Sequence, residues 1–273
     1  MAKTINEILS KYYEEADGGM VDKTPSTLNR GEGTETEFYI MKIDLSGSTK
    51  FLYRRSPQTY LKIAHIFLSS VDEITRLYRA DSNQAEYAGD SVIAYFRASD
   101  VEPEDVLFAA YYCRRAALEM QNLDVTLKQY HFKTKVVLHF GKLIMAKIGP
   151  WGDGRISAIG FELHRACKME QNVSAGQGKA TKEFWAKLKP INRKFLSANT
   201  RQVSVEIPQP PAGSSLMPFN FGLRDYAIPP SNALSAGLGN LLSPQKPRYE
   251  LKTEVVDYTI NWNVIEQYFK GRG

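Results

Sequence analysis

The sequence predicts an α+β fold, a ferredoxin-like sandwich in which helices cover an antiparallel sheet. Three observations carry this expectation. From Phe38 onward the elements run strand, helix, strand, strand, helix, strand. The apolar spacing changes from strand-like runs to a helical period between them. Glycines punctuate the joins at Gly89 and Gly141.

Each element follows from its residues. Residues 1–17 form an amphipathic helix, with Ile5, Ile8, Leu9 and Tyr12 on one side. Residues 18–35, rich in Gly, Thr, Asp and Glu, read as a linker. Phe38 to Asp44 is an apolar strand that ends in a carboxylate, and Ser46-Gly47-Ser48-Thr49 is a polar turn after it. Pro57 to Arg79 repeats at helical spacing through Tyr60, Ile63, Phe67, Val71 and Ile74. Gln84–Ala88 and Ser91–Phe96 form a hairpin closed at Gly89-Asp90. A helix over 103–122 starts on Pro103 with Glu104 and Asp105 in its first turn, where a helix favours acids. Lys133–Phe140 and Leu143–Ile148 are expected as two strands hinged at Gly141, and Phe161–Gln171 as a further helix. Residues 207–247 hold most of the prolines and read as long loops; a strand over 249–259 and a short helix over 260–270 close the chain. Three regions result: an N-terminal helix and linker over 1–35, a core over 36–206, and a loop-rich extension over 207–273.

Composition narrows the class. Of 273 residues, 43% are hydrophobic and 24% charged, enough for a full core. No apolar run of about 18 residues exists to span a membrane. The N-terminus lacks the apolar stretch of a secretory signal. Cys113 and Cys167 are the only cysteines and fit two thiols in a reducing cytosol, so a cytoplasmic location is expected. A net charge of +5 with a pI near 9.0 suits a polyanionic partner such as a nucleotide. No basic stripe interleaved with aromatics points to nucleic acid.

Two carboxylates stand out. Asp44 ends a strand, and Asp90 occupies the tip of Tyr87-Ala88-Gly89-Asp90-Ser91. A hairpin tip beside a neighbouring strand's end puts both on one rim of the sheet, the oxygen-donor pair that hard divalent cations take. Backbone N–H groups in the turn after Asp44, at a helix N-terminus, suit a triphosphate.

Four blocks in order resemble class III nucleotide cyclases over residues 37–171. Met41 to Thr49 is similar to the first metal strand and its phosphate turn. Glu86 to Ser91 is similar to the second metal hairpin, its Asp90 46 residues after Asp44. Leu138-His139-Phe140-Gly141 through Ile148-Gly149 resembles the dimer-arm hairpin, and Ile159-Gly160 through His164, Lys168, Met169 and Glu170 the catalytic helix. The resemblance implies a head-to-tail homodimer. Asp44, Asp90 and the Leu45 carbonyl would bind two Mg²⁺ or Mn²⁺ ions, Ser46, Gly47, Ser48 and Thr49 would cradle the phosphates, and His164 and Lys168 would act from the partner subunit. The family usually carries Asn and Arg at those two positions; lysine keeps the charge but loses the bidentate fork.

The family's base-reading positions fall on Glu86 and Ser157, which disfavours adenine. A carboxylate acceptor suits guanine, uracil or cytosine. The layout, a short helix before the core and a Pro-rich extension after it, resembles the bacterial pyrimidine cyclases of Pycsar anti-phage defence. That implies UTP, ahead of CTP, giving cUMP or cCMP for a separate cyclic-nucleotide-binding effector. A guanylate cyclase and an inactive nucleotide-binding module remain as alternatives. The Gly-Gly-(Asp/Glu)-(Asp/Glu)-Phe hairpin of diguanylate cyclases is absent.

Overall fold

The structure, a computed structural model, describes residues 4–47, 56–81, 85–150, 153–208 and 248–271. It divides into two compact units, residues 1–197 with 259–273, and residues 198–258.

The first unit is built on strand β2 (Glu32–Leu45) and strand β5 (Thr134–Ile148), antiparallel neighbours in register from Gly33 opposite Ala146 to Leu45 opposite Thr134. On the other side of β2 lies β4 (Ser91–Arg97), then β3 (Glu86–Ala88), which with β4 forms the expected hairpin around Gly89 at φ +65°. The positive φ is what the glycine supplies. β7 (Gly178–Thr181) runs parallel to β5, and β6 (Arg155–Ile159) pairs antiparallel with its second half.

Alternation along β2 sorts the core into two layers. Tyr39, Met41, Ile43 and Leu45 are buried on one face. Helix α2 (Pro57–Leu77) and helix α3 (Pro103–Glu119) cover that side, α2 burying Ile63, Phe67 and Val71 at i, i+4 and i+8. Ser56 caps α2 by accepting from Thr59 N–H, and Glu102 and Asp105 form a capping box on α3. Cys113 Sγ on α3 reaches the Val71 carbonyl at 3.9 Å. The opposite face, with Phe38, Ile40, Tyr95, Val137, Leu143 and Met145, packs beneath helix α5 (Phe161–Glu170) through Leu163, Ala166 and Cys167. Short helices α4 (Val125–Lys128) and α6 (Lys182–Lys187) fill the periphery. Helix α7 (Trp262–Lys270) closes the unit, Phe269 stacking on Tyr111 of α3 at 5.3 Å.

In the second unit, β8 (Leu196–Pro208) and β9 (Arg248–Ile260) are adjacent strands. The segment between them, most of the expected Pro-rich loops, lies outside the described residues. No helix among the described residues is long and apolar enough to cross a membrane.

Two expectations differ. The segment expected as a linker carries β1 (Gly19–Met20), which pairs in parallel with the start of β2. Helix α1 (Ile5–Glu15) precedes it, with no residue buried. Gly141 is no hinge: β5 runs straight through it, opposite Phe38. A Cβ on Gly141 would sit 2.6 Å from Glu162 Cγ of α5, so the glycine serves close approach and not a turn. Gly141→Ala should therefore lower stability by about 1–3 kcal/mol, as an overpacked core does, in a denaturant melt; an unchanged midpoint would contradict this role.

Candidate active site

β2 places Lys42 and Asp44 on the α5 face, one and two steps beyond Ile40 in the alternation. There the apolar layer ends. Asp44 stands opposite Ser91 on one side and Lys135 on the other. The β3–β4 turn brings Asp90 beside it, tied by Leu45 N–H donating to the Asp90 carbonyl at 3.4 Å. Ser46 N–H donates to the Lys133 carbonyl at 2.8 Å and fixes the chain as it leaves the strand. Gly47 follows at φ +83°. Ser48 and Thr49, the rest of the expected phosphate turn, lie outside the described residues.

The electrostatics of this rim are unusual. Burial, then the charges of Asp90 and Glu170, push Asp44 up to about 6, against the opposing pull of Lys135 and Lys42. Among the described residues, Asp90 Oδ2 and Ser46 Oγ are buried without a hydrogen-bond partner. Buried polar atoms are normally satisfied. Two close carboxylates with an orphaned oxygen fit a hard divalent cation. Among the described residues no group of three or more His, Cys, Asp or Glu forms a closed metal cage. Two carboxylates, with further positions left to backbone oxygens, water and phosphate, match how Mg²⁺ is usually held.

Three residues to which the sequence reading gave no role join the site. Lys42 Nζ pairs with Glu170 Oε2 at 3.1 Å, and Lys135 Nζ lies 3.6 Å from Glu170 Oε1. Glu170, in the last turn of α5, thus holds two lysines beside the aspartates. Lys42 was legible, since it is two residues before Asp44 on a strand. Lys135 depends on a register across β5 that no local pattern reveals.

Glu86 stands opposite Ile93, itself opposite Lys42, so it shares the face of Asp44 one row inward. Tyr95 Oη lies beside Glu86 without a well-formed hydrogen bond, and burial followed by the Glu86 charge pushes this phenol far above its usual range. Ser157 is elsewhere. It stands opposite Ala146, and that opposite Gly33, nine residues along β2 from Lys42, or about 30 Å at strand rise. One copy does not bring Ser157 to Glu86. His164 is exposed and Lys168 half-buried on α5, off the stripe of Leu163, Ala166 and Cys167 that meets the sheet.

This architecture recurs in solved structures. The guanylyl cyclase Cya2 superposes with a TM-score of 0.57 at 14% identity, covering 84% of this chain and 93% of its own. The chain has the class III nucleotide cyclase fold. The adenylyl cyclase CyaB from P. aeruginosa matches with a TM-score of 0.50 at 14% identity, over 62% of this chain and 87% of its own. A class III adenylyl cyclase-like ATP-binding protein from Pseudomonas aeruginosa matches at 0.54 and 16% identity, over 71% of this chain and 46% of its own. No protein-family model and no curated protein matches the sequence. At these identities the likeness establishes the fold and leaves the chemistry to the residues.

The charge crowding gives a test that needs no substrate. Asp44→Asn removes one of two close anions, so the metal-free variant should melt roughly 2–4 °C higher than the natural chain. Mn²⁺ should raise the melting temperature of the natural chain and leave the variant unchanged. A variant that still responds to Mn²⁺ would place the cation elsewhere.

Proposed function

We propose that this chain is a nucleotide cyclase that closes a pyrimidine nucleoside triphosphate, UTP ahead of CTP, into a 3′,5′-cyclic monophosphate with release of pyrophosphate. The observation that carries the reading is the Asp44–Asp90 pair, crowded and with an unpartnered oxygen, at the rim of a class III cyclase fold.

Asp44 and Asp90, with the Leu45 carbonyl, would hold two Mg²⁺ or Mn²⁺ ions. When bound, such ions acidify the ribose 3′-hydroxyl and neutralise charge on the phosphates. The chain's own residues do the rest. Lys135, next to Asp44 and held by Glu170, presents a cation to the phosphates. The backbone after Ser46 offers N–H donors at the same rim. Glu86 accepts from the base, and uracil N3–H or the cytosine amino group meets that acceptor. Ser157 would reach a base only from a second copy.

His164 and Lys168 support a homodimer. They lie off the sheet-facing stripe of α5, while Glu170 of the same helix faces Lys42. Set so, they serve a nucleotide held by a second copy, and each site draws on both. The product would act as a second messenger in anti-phage defence, read by a separate cyclic-nucleotide-binding effector, and the reaction would take place in the cytoplasm.

Two other readings rest on particular observations. Glu86 is equally an acceptor for guanine N1–H, and Cya2 is a guanylyl cyclase. His164 and Lys168 replace the Asn and Arg usual in the family, and a solved neighbour is described as an ATP-binding protein, which favours a binding module without turnover.

Incubation with each of ATP, GTP, CTP and UTP plus Mn²⁺, followed by mass analysis, separates the three. A cyclic pyrimidine monophosphate is the expected product; cyclic GMP moves the substrate to GTP, and binding without product establishes the module. Asp44→Ala or Asp90→Ala should cost at least about 100-fold in turnover while the protein stays folded. Mixing Asp44→Ala with Lys168→Ala should restore about a quarter of the natural activity, since half the dimers are mixed and each has one intact site. No recovery despite subunit exchange would sink the shared site.

A further inference from the structure

Beneath α5, in the middle of an apolar layer, lies a polar network that the chemistry above does not use. His139 on β5 is fully buried among Val137, Leu143 and Met145. Its Nε2 is 2.6 Å from Glu162 Oε2, and its Nδ1 is 2.8 Å from Thr181 Oγ1. A carboxylate only accepts, so Nε2 donates to Glu162; Nδ1 shares a hydrogen bond with the Thr181 hydroxyl, whose oxygen accepts from Phe184 N–H at 3.4 Å. Glu162 also faces Arg165 at 3.7 Å, and Arg165 donates to Glu183 Oε1 at 2.8 Å. Burial raises the Glu183 carboxyl, yet Arg165, its own backbone, His139 and Thr181 together hold it below the usual range. Thr181 caps α6, which carries Glu183, so the network closes on itself through β5, α5, α6 and β7.

We propose that His139 and Glu162 are positioning residues, a latch between a buried imidazole and a part-buried carboxylate that sets the height and roll of α5 on the sheet and thereby the placement of His164 and Lys168. Two features argue for placement over stability. A buried ionic or polar pair is commonly no more stabilising than apolar side chains of the same volume, but it accepts only one geometry. The latch also has a dedicated approach. Gly141 leaves the space through which the Glu162 side chain passes to reach His139, with no room there for a Cβ. Glu162 sits in the first turn of α5, and His164 follows two residues later.

The catalytic consequence rests on the cyclase reading; the structural one does not. The test uses the full chain carrying Glu162→Gln, Glu162→Ala, or His139→Leu with Glu162→Leu. Each is melted, assayed with UTP and CTP, and followed by hydrogen exchange of the α5 amides, which needs no turnover. Glu162→Gln keeps an acceptor for Nε2–H, so its exchange should match the natural chain and its kcat should stay within about threefold. Glu162→Ala should fold, exchange its α5 amides at least about tenfold faster, and lose about 10- to 100-fold in kcat with KM little changed. The double leucine variant should melt at or above the natural temperature and lose kcat as Glu162→Ala does. Full activity in the double variant, unchanged α5 exchange in Glu162→Ala, equal damage in Glu162→Gln, or failure of the double variant to fold would each overturn the latch. If the natural chain makes no cyclic product, the cyclase reading fails and the exchange comparison still decides the latch.

Discussion

The structure depends first on the pairing of β2 with β5. Their register runs unbroken from Gly33 opposite Ala146 to Leu45 opposite Thr134. β2 is also paired to β4 from Phe38 to Asp44, so its middle is buried on both faces and both edges. A slip of one residue would send Met41 and Ile43 to the α5 face and Asp44 into the layer covered by α2 and α3. The cost of burying the Lys42 and Asp44 charges in that apolar layer forbids the slip. The carboxylate is thus aimed by the alternation of Lys42 and Asp44 with Ile43 and Leu45. The same register sets Lys135 opposite Asp44 and His139 opposite Ile40, which places the site and the latch beneath α5 by a single alignment.

Much of this was legible in the sequence, and what was not shares one cause. The strand before Asp44, the Gly89 turn and the helices starting at Pro57, Pro103 and Phe161 all follow from residues close in the chain. Gly141 was misleading because a glycine marks either a turn or a close approach. The contact that decides between them comes from Glu162, far along the sequence. β1 escaped notice because two exposed residues carry no periodic pattern. Lys135 was invisible because its neighbourhood is created by cross-strand register. Ser157 shows the opposite failure. Its distance in sequence from Gly160 matches a base-reading position of the family, but the end of the sheet it occupies depends on β6 pairing with the far half of β5.

The two polar clusters on the α5 face divide the labour by exposure. Around His139 both ring nitrogens have protein partners, Glu162 and Thr181, which suits a part whose purpose is to stay put. Around Asp44 the protein leaves bonds unmade. Asp90 Oδ2 and Ser46 Oγ lack partners among the described residues, and Asp44 is held above its ordinary range. Crowded carboxylates beside orphaned oxygens in one cluster, and an imidazole bonded at both nitrogens in the other, a few residues apart along the same strands, separate a site suited to a ligand from one suited to carrying a helix.

Charge then constrains how such a site fills. Asp44, Asp90 and Glu170 face Lys42 and Lys135, a local excess of one negative charge with all five ionised. Two divalent cations alone would turn this into a surplus of about three positive charges, and a nucleoside triphosphate alone, carrying about four negative charges, into a deficit of about five. Together the additions cancel and restore the starting balance. In a partly buried setting, where charges are poorly screened, a single divalent cation leaves the smallest imbalance, about one positive charge. A second metal and a triphosphate would then each favour the other's binding. Lys135, freed from Glu170 as the phosphates arrive, changes partner without changing the total.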